Sequence, residues 1–395
     1  MSAPMPSLCY LDHAATTPVR PEVVEAMAPF AAGHFGNPSG GHRAAAAARL
    51  ALEEARDALA ESVGCTPGEV VFTAGGTEAD NLAVLGSLAA AAEAGVPVGA
   101  VCSAVEHPAV REPCRAAAKG WFGAGSAPVS LREAPVRPDG VVDLVALEDL
   151  LDPSVALVSV MLANNEVGTV QPLTEVVAAT HRLAPAAVVH TDAVQAAGWL
   201  DLSQAAVGCD LVSLSAHKLG GPKGSGALVV RRGTPLRPLL LGGGQERERR
   251  SGTQNVAGAV GLATALRLAV EDRRVEGARV QALRDRLAAG LAAAVPGSVV
   301  TVPGEATLPG HCHVLMPGVD REELLVLLDT EGVCVSAGSS CASGALEPSH
   351  VLGAMGIDDE AARGALRFSL GRSTTEAEVD RALVVVPAAV ERLRL

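Results

Sequence analysis

Lys218 stands in SLSAHKLGGPKGSGALVV, between apolar stretches at 210–215 and 227–230. That spacing predicts two buried strands with the lysine in the turn that joins them. An ammonium held between buried strands is poorly hydrated, which lowers its pKa toward a nucleophilic amine. For an isolated lysine a plain surface loop is the better reading, so its neighbours decide the matter. Ser215 and His217 are donors suited to a phosphate, and Asp192 closes an earlier apolar stretch, AAVVHTD. A reactive amine, anion donors and a buried acid form a set that serves an aldehyde carrying a phosphate and a ring nitrogen.

Pyridoxal phosphate is the cofactor with those three handles. Lys218 is then the candidate Schiff-base residue, and Asp192 the acid that pairs with the protonated pyridine nitrogen and preserves the ring as an electron sink. Gln195, three residues on, is placed to donate to the ring oxygen. Helix capping is the competing role for Asp192, although an unpartnered buried acid is costly.

The elements that must position these groups are legible in outline. Residues 44–62 are rich in Ala, Leu, Glu and Arg and predict a helix that stops at Gly64. EVVFTAGGTEADNLAVLGSL, 69–88, predicts a strand, a glycine turn and a helix beginning near Thr77. Such a turn aims backbone N–H groups at an anion, with Gly76 and Thr77 as the candidate phosphate cup, though many α/β turns of this kind bind nothing. A strand over 99–105 leads to His107, placed to stack on a planar ring or to move protons. Residues 121–153 predict a connection with short strands and one weak helix. The strand beginning at 155 ends in Asn164, Asn165 and Glu166, where paired amides suit a phenolate or a carboxylate, or simply a turn. The alternation of strand and helix from 69 to 230 predicts an α/β fold with a mainly parallel sheet and the site at the carboxyl ends of its strands.

Further along, LGGGQERERRSGTQN, 241–255, reads as a solvated glycine loop, and 256–295 as a long helix joining two domains. A strand, turn and helix over 310–332 begin a smaller α+β domain. His311 and His313 share one face of that strand, but no acid or thiol at matching spacing makes them a metal pair. Arg367, in the strand ALRFSLG, offers a planar fork for a substrate carboxylate. Cys341 lies in SAGSSCASG among Ser and Gly neighbours, which predicts an accessible thiol on a mobile loop, whereas Cys334 in GVCVSA reads as a packed one.

Composition narrows the class. With 31 basic against 44 acidic residues the net charge is −13, which disfavours nucleic acid and anionic membrane as partners. Only 2% of residues are aromatic, so the core must be built from Ala, Val and Leu. No apolar run is long enough to span a bilayer, MSAPMPSLCYLDHAATTP lacks signal-peptide features, and the eight cysteines show no CxxC pair. The expectation is a small-molecule enzyme of a reducing cytoplasm.

The motifs LDHAATTP, GGTEADNLA, EHPAV, NNEVG, TDAVQ, SAHKLGGPKGSGAL, GGGQERERRSGT, SAGSSCASGALEPSHVL and RFSLGR, in order from residue 10 to about 380, resemble those of the NifS/IscS-type cysteine desulfurases. These are fold-type I pyridoxal phosphate enzymes of the class V aminotransferase family. The resemblance implies a large cofactor-binding domain over 16–262 and a small domain from 1–15 and 263–395 that carries the Cys341 loop. It implies that Gly76, Thr77, Ser215 and His217 bind the phosphate, with Thr253 reaching in from the second subunit of a homodimer. His107 would stack on the ring, and Asn165 and Arg367 would face the substrate. L-cysteine would yield L-alanine, Cys341 would take the sulfur as a persulfide, and an iron–sulfur scaffold or another sulfur-acceptor protein would receive it. No stable metal site is implied; transient iron–sulfur ligation by Cys341 is the one metal role left open. Competing readings are a selenocysteine lyase, another class V lyase or aminotransferase, and a sulfur-relay protein without catalysis. An aminotransferase has no use for a thiol at Cys341.

Overall fold

The computed structural model describes residues 8–95, 98–122, 129–338 and 349–394. Its centre is a seven-stranded sheet of order β2-β8-β7-β6-β5-β3-β4. The strands are β2 (Val70–Thr73), β3 (Gly99–Ser103), β4 (Ser130–Ala134), β5 (Val155–Ser159), β6 (Val188–Asp192), β7 (Leu211–Ser215) and β8 (Gly226–Val230). All neighbours are parallel except those of β8, which runs antiparallel to both β2 and β7. The chain reverses into β8 through the short GGPKGS connection, where no crossover helix intervenes. The other strands are linked by helices, which parallel pairing requires.

β2, β3, β7 and β8 are buried along their whole length, as expected of strands covered by helices on both faces. One face packs Leu52, Leu59, Val158, Val189 and Leu214 into a core; the other packs Leu82, Leu85, Leu88, Leu157 and Leu228. At about 1.5–3 kcal/mol for each large aliphatic side chain buried, these layers hold the strand ends in fixed relation. Alanine lines both layers, and its small size lets helices approach the sheet closely in a chain with so few aromatics.

The Arg43–Val63 helix ends at Gly64, whose φ of 68° is the left-handed cap the sequence anticipated. The Gly76–Glu93 helix lies across β5, β6, β7 and β8, which brings its first turns over the carboxyl ends of the central strands. A second core gathers Leu283, Leu287, Leu291, Val314, Phe368 and Val386 around a three-stranded antiparallel sheet of β12 (Ala365–Ser369), β10 (His311–Leu315) and β9 (Val299–Val300). The 39-residue helix Val256–Ala294 places Leu262 and Leu266 in the first core and Leu283 to Leu291 in the second. The N-terminal β1 (Cys9–Tyr10) pairs with β11 (Val333–Cys334), so HAATT leaves the second core and crosses to the sheet ends. Among the described residues no helix is long and apolar enough to cross a membrane.

Candidate active site

Lys218 ends a single 3-10 turn, Ala216–Lys218, that follows β7 directly. Its Nζ donates to the carbonyl oxygens of Ala14 and, at 2.9 Å, Ala15. Thr17 locks the two segments together, donating from Oγ1 to the His217 carbonyl at 2.8 Å and accepting from Gly220 N at 2.8 Å. Burial, with the Arg367 cation adding to it, brings the Lys218 pKa down to about 8. Asp192 and Asp12 oppose that fall.

Beside Lys218 the Gly76–Glu93 helix opens without any side-chain cap. Its N-cap residue Gly75 has φ 153°, a conformation that suits glycine, and a Cβ on Gly76 would come within 2.8 Å of Val194. The first backbone N–H groups of the helix therefore face a concavity that also holds Ser215, His217 and Thr16. Burial, then the nearby Lys218 and Lys223 charges, push His217 down to about 4, so its ring is neutral. Its Nδ1 shares a 3.2 Å hydrogen bond with Thr16 Oγ1.

Asp192 is the last residue of β6 and is 6% exposed; one of its oxygens accepts from Val194 N at 2.8 Å. Burial raises its pKa, while His107, the Val194 N–H and Lys218 pull the other way. His107 caps the Pro108–Ala118 helix, its Nδ1 accepting from Ala109 N at 3.1 Å. That bond places the proton of the neutral ring on Nε2. Burial lowers the pKa of His107.

A cavity of about 400 Å³ is lined by Gly76, Thr77, His107, Asn165, Asp192, Gln195, Ser215, His217, Lys218 and Arg367. These candidates come from five strand ends and from β12 of the second sheet, and they converge on one space. Arg367 is 3% exposed and already partnered: it pairs with Asp12 at 2.7 Å and donates to Asn165 O at 2.8 Å and Gly338 O at 3.4 Å. Its Nε has no partner among the described residues.

Thr253, expected to act from a second subunit, is exposed on this chain and does not line its own cavity. Some sequence readings change in the folded chain. Cys341 lies outside the described residues; Gly338, three residues before it, is part of the cavity wall. Asn164 is a turn former and not a ligand donor, because its Oδ1 accepts from Glu166 N and Val167 N at 2.8 and 3.0 Å and its amide reaches Val105 O. Cys334 is half-buried and not packed away, since on the two-residue β11 it is Val333 that enters the core. The solvated reading of 241–255 fails at Glu246, which is 4% exposed and forks onto Arg56 at 2.8 and 2.9 Å. Glu246, Arg247 and Glu248 all have positive φ, at 49°, 56° and 65°, and the buried pair holds that left-handed run in place.

Sequence reasoning missed Asp80, 1% exposed and part of the cavity wall. Oxygens of Asp80 and Asp192 and a His107 ring nitrogen lie within 4.8 Å of one another, close enough in principle to hold a cation. The His107 tautomer argues against that. A metal on Nε2 needs the ring proton on Nδ1, and Nδ1 is occupied as an acceptor. Asp12 was missed as well, although it directly precedes the HAATT segment and fixes Arg367.

Comparison with known proteins is consistent along the whole chain. The family described as Aminotransferase class-V matches residues 9–382. The IscS-like cysteine desulfurase of Mycobacterium tuberculosis is 44% identical over 392 residues, 98% of this chain and 97% of that protein. Cysteine desulfurase NifS of Azotobacter vinelandii is 43% identical over 388 residues, 98% and 93% of the respective chains. A solved structure of a NifS-like protein superposes with a TM-score of 0.88 at 38% identity, covering 98% of this chain and 100% of the other.

Proposed function

Since the chain belongs to the class V aminotransferase family, we propose that it is a pyridoxal phosphate-dependent cysteine desulfurase that moves sulfur from L-cysteine to Cys341. One observation carries this reading. A single cavity unites Lys218, Asp192, His107 and an uncapped helix start with Arg367 and Gly338, from which the chain enters the segment containing Cys341.

The residues fit the cofactor. The bare N–H groups of the Gly76–Glu93 helix, with Thr77, Ser215 and His217, would hold a phosphate. Asp192 has an oxygen free of the Val194 bond for a ring nitrogen, and Gln195 lies beside it on the cavity wall. Thr253, exposed on this chain, would serve the site of a second copy in a homodimer. Pyridoxal phosphate supplies an aldehyde for the lysine and an electron sink for the substrate carbanion.

The chain's own groups do the rest. Lys218, with its pKa near 8, holds and releases a proton at Nζ near neutrality. His107, neutral with its proton on Nε2, is the second proton carrier. Arg367, on the cavity wall, would face the substrate carboxylate, while Asp12 and the Asn165 and Gly338 carbonyls keep the guanidinium from turning. The Cys341 thiolate attacks the substrate sulfur; the C–S bond breaks as the S–S bond forms, and protons from Lys218 and solvent complete L-alanine. L-cysteine plus the enzyme thiol therefore gives L-alanine plus the enzyme persulfide, with no external oxidant. Delivery of that sulfur to an acceptor protein in the cytoplasm completes the reading.

The test is alanine release from L-cysteine, with and without a thiol reductant, in wild type and Cys341→Ala. Alanine and sulfide formed together by wild type and lost in the variant support the proposal. Equal alanine from both proteins would remove Cys341 as the sulfur acceptor and favour another lyase.

A further inference from the structure

Asp80 points an unused carboxyl at the site. It lies on the second turn of the Gly76–Glu93 helix, where the packing of that helix on β6 and β7 sets it behind Asp192. It is 1% exposed, and its Oδ1 has no hydrogen-bond partner among the described residues. His190 Nε2 stands 3.6 Å from Asp80 Oδ1, beyond hydrogen-bond reach. Behind it a polar chain crosses the sheet: Ser213 Oγ meets His190 Nε2 at 3.0 Å, and His190 Nδ1 meets Ser159 Oγ at 2.8 Å. Burial keeps His190 neutral, so no cation in that chain compensates Asp80.

Two carboxyls with oxygens within 4.8 Å, both buried, do not both ionise near neutrality. Asp192 has the Val194 N–H and faces Lys218 and His107, so it keeps the charge. We infer that Asp80 is a positioning residue that holds a proton behind Asp192, so that the site presents one negative charge, on Asp192, to the ring nitrogen of a bound cofactor. The inference rests on the proposed function for its consequence but not for its premise. Burial and the Asp192 charge raise the Asp80 pKa above the usual carboxylate range, and once Asp80 does ionise the second charge helps the ring nitrogen keep its proton. The groups that share this environment are His190 and Asp192 on β6, Glu106 and His107 after β3, His217 and Lys218 after β7, and Arg367 on β12 across the cavity. Glu106 is also a buried acid whose pKa burial raises, and any carboxyl band it gives is common to every protein compared below, so the difference between them reads Asp80.

The experiment compares wild type with Asp80→Asn, which keeps the shape but cannot titrate. Infrared spectra of the cofactor-free protein are expected to show a protonated-carboxyl carbonyl band at neutral pH that disappears in Asp80→Asn. After reconstitution with ring-15N pyridoxal phosphate, the ring nitrogen of Asp80→Asn is expected to lose its proton at least about one pH unit below wild type. A carboxyl band unchanged by the substitution, or ring deprotonation at the same pH in both proteins, overturns the inference. Should Asp80→Asn fail to fold, Asp80→Ser serves instead. It too removes the titrating carboxyl, so the Asp80 band must again be missing at neutral pH and the ring nitrogen must again lose its proton earlier than in wild type; an unchanged band, or ring deprotonation at the same pH, overturns the inference. Failure of wild type to bind the cofactor would defeat the proposed function while leaving the infrared result to stand or fall by itself.

Discussion

In the cofactor-free protein Lys218 becomes a nucleophile near pH 8, against the ordinary lysine value of 10.5. At about pH 7.5 such an amine is roughly one-quarter unprotonated, against roughly one part in a thousand for an ordinary lysine, a gain of more than a hundredfold. Reductive methylation with formaldehyde, followed peptide by peptide by mass spectrometry across pH, reads this directly, with the exposed Lys119 as internal control. The modification rate at Lys218 should rise to a half-maximum near pH 8 and then level. Arg367→Gln should move that half-maximum upward, because the Arg367 cation lowers the lysine pKa and its loss also frees the Asp12 charge, which raises it. Asp192→Asn should move it downward. Stability carries the same signature with a definite sign. Between about 8 and 10.5 the folded chain binds fewer protons at Lys218 than the unfolded chain, so this residue makes folding less favourable below 8 and the penalty is relieved as pH rises through that window. A half-maximum near 10.5, or an Arg367→Gln shift in the other direction, would refute the burial argument.

Glu246→Ala should destabilise the fold by about 3–5 kcal/mol in chemical denaturation, because it strands a buried Arg56; Arg56→Met with Glu246→Leu should cost markedly less. Equal losses in the two proteins would show that the left-handed loop, and not the charge pair, sets the cost. Gly226→Ala should weaken cofactor retention, since the new Cβ would lie 2.6 Å from the Gly75 carbonyl carbon and 2.6 Å from Leu214 O, forcing the turn before the helix start to move. Dialysis followed by visible absorbance measures this, and wild-type retention in a folded variant would contradict it. Ser349→Ala should cost about 1 kcal/mol in denaturant, through the lost cap of the His350–Ala354 helix and the 2.6 Å bond from Ser349 Oγ to Glu166 Oε2.

Much of the site was legible because its signals are local. Lys218 sits one short turn after a strand, Asp192 ends a strand and Gly64 stops a helix; each depends on a few neighbouring residues whose pattern survives in one dimension. The mainly parallel sheet followed from the alternation of elements, and β8, the one antiparallel strand, follows from a connection too short to cross over. Asn164 and Asn165 mark the limit of local reading: adjacent and identical in type, one closes a turn with its amide on Val105 O, and the other lines the cavity.

What the chain's own pattern determined, then, was the set of local elements and the chemistry stationed at their ends. Tertiary structure decided which of those ends meet. Asp80 reads as an ordinary acid in the first turns of a helix, favourable there for the helix dipole. It becomes a buried carboxyl beside Asp192 only because the strand order sets that helix across β6 and β7. Glu246 likewise reads as one charge in a solvated run until Arg56, 190 residues earlier, meets it. Charge state depends on desolvation and on neighbours distant in sequence, and neither quantity exists until the chain is packed.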